Sequence, residues 1–164
     1  MTPETTAAQL VAGLSSRGQT VATAESLTGG LIGATITSVP GASTVYLGGA
    51  VVYATSLKHL LGGVSEDILQ SAGAVSSQTA VALAEGIRQR TGADWAIAVT
   101  GVAGPDPQEG HPPGTVWLGL VGPGHPASAG LLQLSGTREQ IRVQTVDAAL
   151  SRLLVLVRGS GSSS

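Results

Sequence analysis

Thr20-Val21-Ala22-Thr23-Ala24-Glu25-Ser26-Leu27-Thr28-Gly29-Gly30 joins a short strand-like run to an apolar helical stretch, Leu31 to Val39. A serine therefore stands where a strand turns into a helix, with two glycines just behind it. Such a turn exposes the side chain, and a helix start offers unpaired N–H groups to an anion. Ser26 is thus a candidate nucleophile. The same residues also suit an N-cap serine or threonine followed by permissive glycines.

Helix and strand signals alternate on both sides of this stretch. Pro3 and Glu4 suit a first helical turn after Thr2, Leu10, Val11 and Leu14 give an apolar stripe, and Gly18 ends the helix. A strand is expected at about 19–25, and Pro40-Gly41 stops the helix that follows Thr28. Val45 to Ala54 reads as a β-branched, Gly-rich strand, with short helical pieces near 56–61 and 65–71. Ser77 to Arg90 reads as a helix closed by Gly92, and Ala93 to Thr100 as a buried strand. A loop rich in Gly and Pro runs to Gly114. Thr115–Val121 and Gly130–Leu134 read as two strands joined by a turn containing Gly, Pro and His, and a last helix spans about Thr137 to Val157. The pattern predicts one α/β domain over residues 1–158, with about five strands and helices on both faces. The Gly/Ser tail, 159–164, reads as disordered.

Composition excludes several function classes. Charged residues make up 11% of the chain, against roughly 25% in ordinary globular proteins. A surface so poor in charge favours self-association, with a homodimer as the first expectation. The net charge of −2 argues against nucleic-acid binding, which needs a basic stripe. With no cysteine there is no disulfide, thiol nucleophile or cysteine metal site, which fits a cytoplasmic protein. No apolar run is long enough to span a membrane, and the N-terminus lacks the basic and apolar regions of a signal peptide. His59, His111 and His125 have no ligand-like spacing, so no metal is expected. A P-loop is missing, and Gly29-Gly30-x-x-Gly33 lacks the first glycine and the ribose-binding acid of a dinucleotide fingerprint.

The remaining group able to activate Ser26 is Lys58, the only lysine, which follows the strand-end residue Tyr53. Ligands of open α/β sheets sit at such strand ends. A buried lysine has a lowered pKa and can act as a base. A solvated lysine beside a surface tyrosine fits the same spacing. Thr100-Gly101-Val102-Ala103-Gly104 follows the most apolar strand, and its glycines let backbone N–H groups approach a ligand, or simply let the loop turn. Arg138 and Arg142 lie four apart at a helix start and share a face. They suit either a phosphate clamp or a surface pair salt-bridged to Glu139.

Four segments together resemble one family. They are Ala24-Glu25-Ser26-Leu27-Thr28-Gly29-Gly30, Gly48-Gly49-x-Val51-x-Tyr53, Thr100-Gly101-x-Ala103-Gly104-Pro105-Asp106 and Pro113-Gly114-Thr115-Val116. Their order and content are similar to the C-terminal domain of the competence- and damage-inducible CinA proteins, over roughly residues 5–157. The resemblance implies a three-layer α/β/α sandwich with a mixed sheet. It implies hydrolysis of the carboxamide of nicotinamide mononucleotide to nicotinate mononucleotide and ammonia, with no metal or cofactor. It also implies Ser26 as nucleophile and Lys58 and Tyr53 as its assistants. Thr28, Gly29 and Gly30 or Thr100 and Gly101 would hold the oxyanion, Ala103 and Gly104 would line the substrate, and Arg138 and Arg142 would bind it. A nucleotide-sensing or assembly module without turnover, or an amidase for another carboxamide, would share these segments. The chain departs from the family in Pro107-Gln108-Glu109-Gly110-His111, where a Gly-Gly start is expected.

Overall fold

The computed structural model describes residues 1–161. Its five-stranded sheet has the order β2-β1-β3-β4-β5. The strands are β1 (Val21–Glu25), β2 (Tyr46–Val51), β3 (Trp95–Gly101), β4 (Thr115–Gly122) and β5 (His125–Gln133). β1 is parallel to both β2 and β3, while β4 and β5 are added antiparallel, so the sheet is mixed.

The two faces of the parallel strands differ in side-chain size. Val21, Trp95, Ile97 and Val99 point to one face, and Ala22, Ala24, Ala96 and Ala98 to the other. The large face packs under α1 (Pro3–Arg17), α2 (Leu31–Thr37) and α6 (Arg138–Gly159), through Leu10, Leu14, Ile32, Ile36, Leu150 and Leu153. The alanine face lies under α5 (Ser77–Thr91), which sits close to the sheet. Gly119 pairs with Ala98 in the register, and a Cβ on it would stand 2.4 Å from the Ala80 carbonyl oxygen of α5. Small residues on this face are what allow that approach. The short helices α3 (Thr55–Leu60) and α4 (Glu66–Ser71) connect β2 to α5. The result is three layers, helices–sheet–helices.

At three of the boundaries that differ from the sequence reading the structure gives a local reason. β2 ends at Val51 rather than Ala54, because Lys58 bonds the carbonyls of Val52 and Tyr53. β5 starts at His125, not Gly130, because the turn is confined to Gly122-Pro123-Gly124-His125. Pro126 is tolerated there since β5 is an edge strand. Gly159, expected to open a disordered tail, is the last residue of α6, and the Ser160 N–H closes the helix on the Leu156 carbonyl. A helix end tolerates glycine well. The rest of the expected tail, 162–164, lies outside the described residues.

Candidate active site

The carboxyl ends of β1, β2 and β3 point the same way, as parallel pairing requires, and a cavity of about 380 Å³ opens there. That volume falls within the roughly 300–1,000 Å³ range of small-molecule sites. Ser26 follows β1 directly, and its N–H donates to the Val99 carbonyl (3.1 Å), one step beyond the β1–β3 ladder. Behind it Gly29 (φ 58°) and Gly30 (φ 105°) are both left-handed and turn the chain into α2. Glycine adopts two such conformations in a row at low cost.

Lys58 comes from α3 and is 2% exposed. Its Nζ donates to Ser26 Oγ (2.9 Å), the Val52 carbonyl (2.8 Å) and the Tyr53 carbonyl (3.1 Å). These are three acceptors for the three protons of an ammonium. Burial lowers its pKa to about 8, against an upward pull from the charge of Glu109. Loss of one proton leaves two donors for the carbonyls and a lone pair directed at the serine hydroxyl. Ser26 and Lys58 together are thus a hydroxyl and an amine able to take its proton, in hydrogen-bond reach and almost dry.

Thr100, Gly101, Ala103, Gly104 and Arg138 line the same cavity. Thr100 Oγ1 donates to the Ala74 carbonyl (2.6 Å), tying β3 to the cavity wall formed by Ala74 and Val75. Gly101 has a packing reason: a Cβ there would stand 2.5 Å from the Thr115 carbonyl oxygen on β4. Tyr53 is 62% exposed at the rim, and its hydroxyl accepts from Arg138 Nη2 (3.2 Å). Arg138 Nη1 also donates to the Gly104 carbonyl. Tyr53 therefore meets Lys58 through its backbone carbonyl and Arg138 through its phenol.

Thr28, Gly29, Gly30 and Arg142 are not part of the cavity lining. Arg142 Nε donates to the Leu27 carbonyl (2.9 Å) and Nη2 to the Thr28 carbonyl (3.3 Å), so it braces the serine turn from behind. The free N–H groups expected at the start of α2 are already occupied. Glu25, 2% exposed, accepts from Ile32 N (2.8 Å), Gly33 N (3.0 Å) and Thr28 Oγ1 (2.7 Å). The anion at this helix start is the chain's own carboxylate. Glu25 escaped the sequence reading, although a lone acid ending a buried strand beside a glycine turn is a readable signal. Glu109 escaped it as well; its carboxylate accepts from Ala74 N and Val75 N, both at 3.2 Å. Among the described residues no group of three His, Cys, Asp or Glu side chains is placed to hold a metal, and no helix is long and apolar enough to cross a membrane.

The fold and these segments have known relatives. A family model described as the CinA C-terminal domain matches residues 3–157. A putative competence-damage inducible protein of Limosilactobacillus fermentum is 51% identical over 145 residues, covering 88% of this chain and 35% of that protein. A CinA-like protein of Frankia casuarinae is 46% identical over 147 residues, covering 90% of this chain and 34% of that protein. The chain thus spans about a third of the length of these curated relatives. The crystal structure of the competence/damage inducible protein CihA from Agrobacterium tumefaciens superposes with a TM-score of 0.90 at 36% identity, covering 94% of each chain. A CinA superfamily protein from Klebsiella pneumoniae 700603 superposes with a TM-score of 0.93 at 29% identity, covering 97% of this chain and 99% of that one. With its sequence matched almost end to end and its fold superposed at this level, the chain belongs to the CinA C-terminal domain family.

Proposed function

We propose that this domain is a serine–lysine amidohydrolase that converts nicotinamide mononucleotide to nicotinate mononucleotide and ammonia. The observation that carries the reading is the buried 2.9 Å contact between Lys58 Nζ and Ser26 Oγ at the floor of a cavity rimmed by Arg138. Neutral Lys58 takes the hydroxyl proton as Ser26 Oγ bonds to the carboxamide carbon. The resulting oxyanion is met by backbone N–H groups of the Thr100–Gly104 segment, which lines the same cavity. The lysine ammonium then gives its proton to the departing nitrogen, which leaves as ammonia. Water, deprotonated by the restored amine, cleaves the acyl-serine and releases the carboxylate product. Arg138 supplies the positive charge for the phosphate. The enzyme acts in the cytoplasm as a homo-oligomer, a state favoured by the exposed apolar side chains Leu47 and Val51 on β2 and Leu60 and Leu61 at the end of α3.

Ammonia release from nicotinamide mononucleotide by the purified domain tests the reading. Ser26→Ala is expected to abolish release while retaining nucleotide binding. Binding with no release by the unsubstituted protein would leave a nucleotide-binding module in its place. Release from other carboxamides alone would point to a different amidase.

A further inference from the structure

Two loop segments help line the cavity, Ala74–Val75 and Pro105–Gln108, and one side chain ties them together. Among the described residues the hydrogen bonds between the two regions are those of Glu109, whose Oε2 accepts from Ala74 N and Oε1 from Val75 N. Glu109 is presented by a tight turn. Gln108 N donates to the His111 carbonyl (3.0 Å) and His111 N to the Gln108 carbonyl (2.8 Å), with Glu109 at φ 51° and Gly110 at φ 80°. Two consecutive left-handed residues define the type I′ hairpin, whose first position ordinarily takes Asn, Asp or Gly. Glu109 is the only non-glycine residue with positive φ among those described. Such a conformation persists where its surroundings hold it. The receiving segment is shaped to match: Gly73 has φ 85°, and a Cβ on it would stand 2.3 Å from Glu109 Oε1.

We infer that Glu109 is a positioning residue of this site: its carboxylate latches the 105–111 loop onto the Ala74–Val75 segment and so keeps water from Lys58. Its meaning for catalysis rests on the reading of Lys58 as the base, but the latch itself is readable without turnover. Besides Glu109, the ionisable groups around the Lys58 cavity are Tyr53 after β2, Asp106 on the loop and Arg138 at the start of α6.

The charge of Glu109 raises the lysine pKa, while burial, the larger influence, lowers it to about 8. Removing a mere neighbouring charge would lower the pKa further. Removing a latch admits water and lets the pKa climb toward the ordinary 10.5. The sign of the change separates the two.

Lys58 is the only lysine, so protein labelled with 13C-lysine gives one side-chain Cε signal whose titration reads this amine alone. Glu109→Ala is expected to raise the midpoint by about one pH unit or more. It is also expected to speed amide exchange at Ala74 and Val75 by about tenfold or more. Gly73→Ala, which crowds the carboxylate while leaving its charge in the protein, is expected to move both readouts in the same direction and less far, because the carboxylate end of Glu109 can shift. A midpoint that stays or falls in Glu109→Ala, or unchanged exchange at both amides in that variant, overturns the latch. If the ammonia assay fails while the titration shows the rise, the latch stands and the amidase reading falls.

Discussion

Lys58 Nζ stands 2.9 Å from Ser26 Oγ on a lysine that is 2% exposed, and this pair ties the chemistry of the site to pH. The mechanism proposed above needs the neutral amine as base, and burial has lowered its pKa to about 8. Turnover is therefore expected to rise with pH through a midpoint near 8 and to level off above it. Lys58→Arg is expected to be inactive, because a guanidinium stays protonated. The profile of kcat/KM against pH, followed by ammonia release, checks both points. A flat profile across the neutral range, or an active Lys58→Arg enzyme, would remove Lys58 as the base.

The same burial has a cost in stability, and its sign is opposite to that of a salt-bridged lysine. The folded pKa of about 8 lies below the ordinary 10.5, so the unfolded chain binds this proton more tightly. Below pH 8 the full penalty applies, roughly 3 kcal/mol for a gap of this size. It fades as pH rises from 8 toward 10.5. Lys58→Met removes the titration. The stability of the wild type relative to Lys58→Met is expected to improve by about 2 kcal/mol between pH 7 and pH 10. Urea unfolding at both pH values measures it, and a pH-independent difference would contradict the lowered pKa.

Local signals made much of this molecule legible, and contacts between distant segments hid the rest. Ser26, Thr100, Gly101 and Arg138 stand where a strand or helix begins or ends, Lys58 lies in the short helix after β2, Ala103 and Gly104 lie in the loop after β3, and the cavity collects them all. Those boundaries follow from apolar periodicity and glycine placement. Arg142 shares a helix face with Arg138, but the backbone of the serine turn reaches it first, a meeting of residues more than a hundred positions apart. Glu109 meets Ala74 and Val75 across 35 and 34 residues, which no spacing rule reveals. The start of β5 was obscured for a different reason. His125 and Pro126 open it directly after the Gly122-Pro123-Gly124 turn, and only its edge position makes Pro126 acceptable.

Glu25 carries the start of α2, where Gly30 offers no side-chain cap. Removing its carboxylate leaves the amides of Ile32 and Gly33 and the Thr28 hydroxyl unpaired in a buried place. Glu25→Ala is expected to destabilise the fold by about 3 kcal/mol or more. Glu25→Gln keeps one acceptor oxygen and is expected to cost less. Denaturant unfolding at neutral pH decides this. A loss in Glu25→Ala no larger than that of a surface substitution would mean that the helix start is satisfied in another way.

Arg138 and Arg142 are four residues apart on α6, yet their guanidiniums do different work. Arg138 lines the cavity, anchored to the Gly104 carbonyl and the Tyr53 hydroxyl at the rim. Arg142 is spent on the carbonyls of Leu27 and Thr28. Arg138→Ala is expected to weaken binding of the mononucleotide by about 1.5–3 kcal/mol, the scale of a charged hydrogen bond, and to spare the phosphate-free nucleoside. Arg142→Ala is expected to treat the two ligands alike, because it disturbs the serine turn rather than the phosphate. It should also cost about 1–2 kcal/mol of stability, since two partly buried carbonyls lose their donor. Calorimetric titration of both ligands into each variant, on a Ser26→Ala background that prevents turnover, separates the roles. Selective loss of the phosphate-bearing ligand in Arg142→Ala would restore Arg142 to the phosphate, and equal losses in Arg138→Ala would remove Arg138 from it.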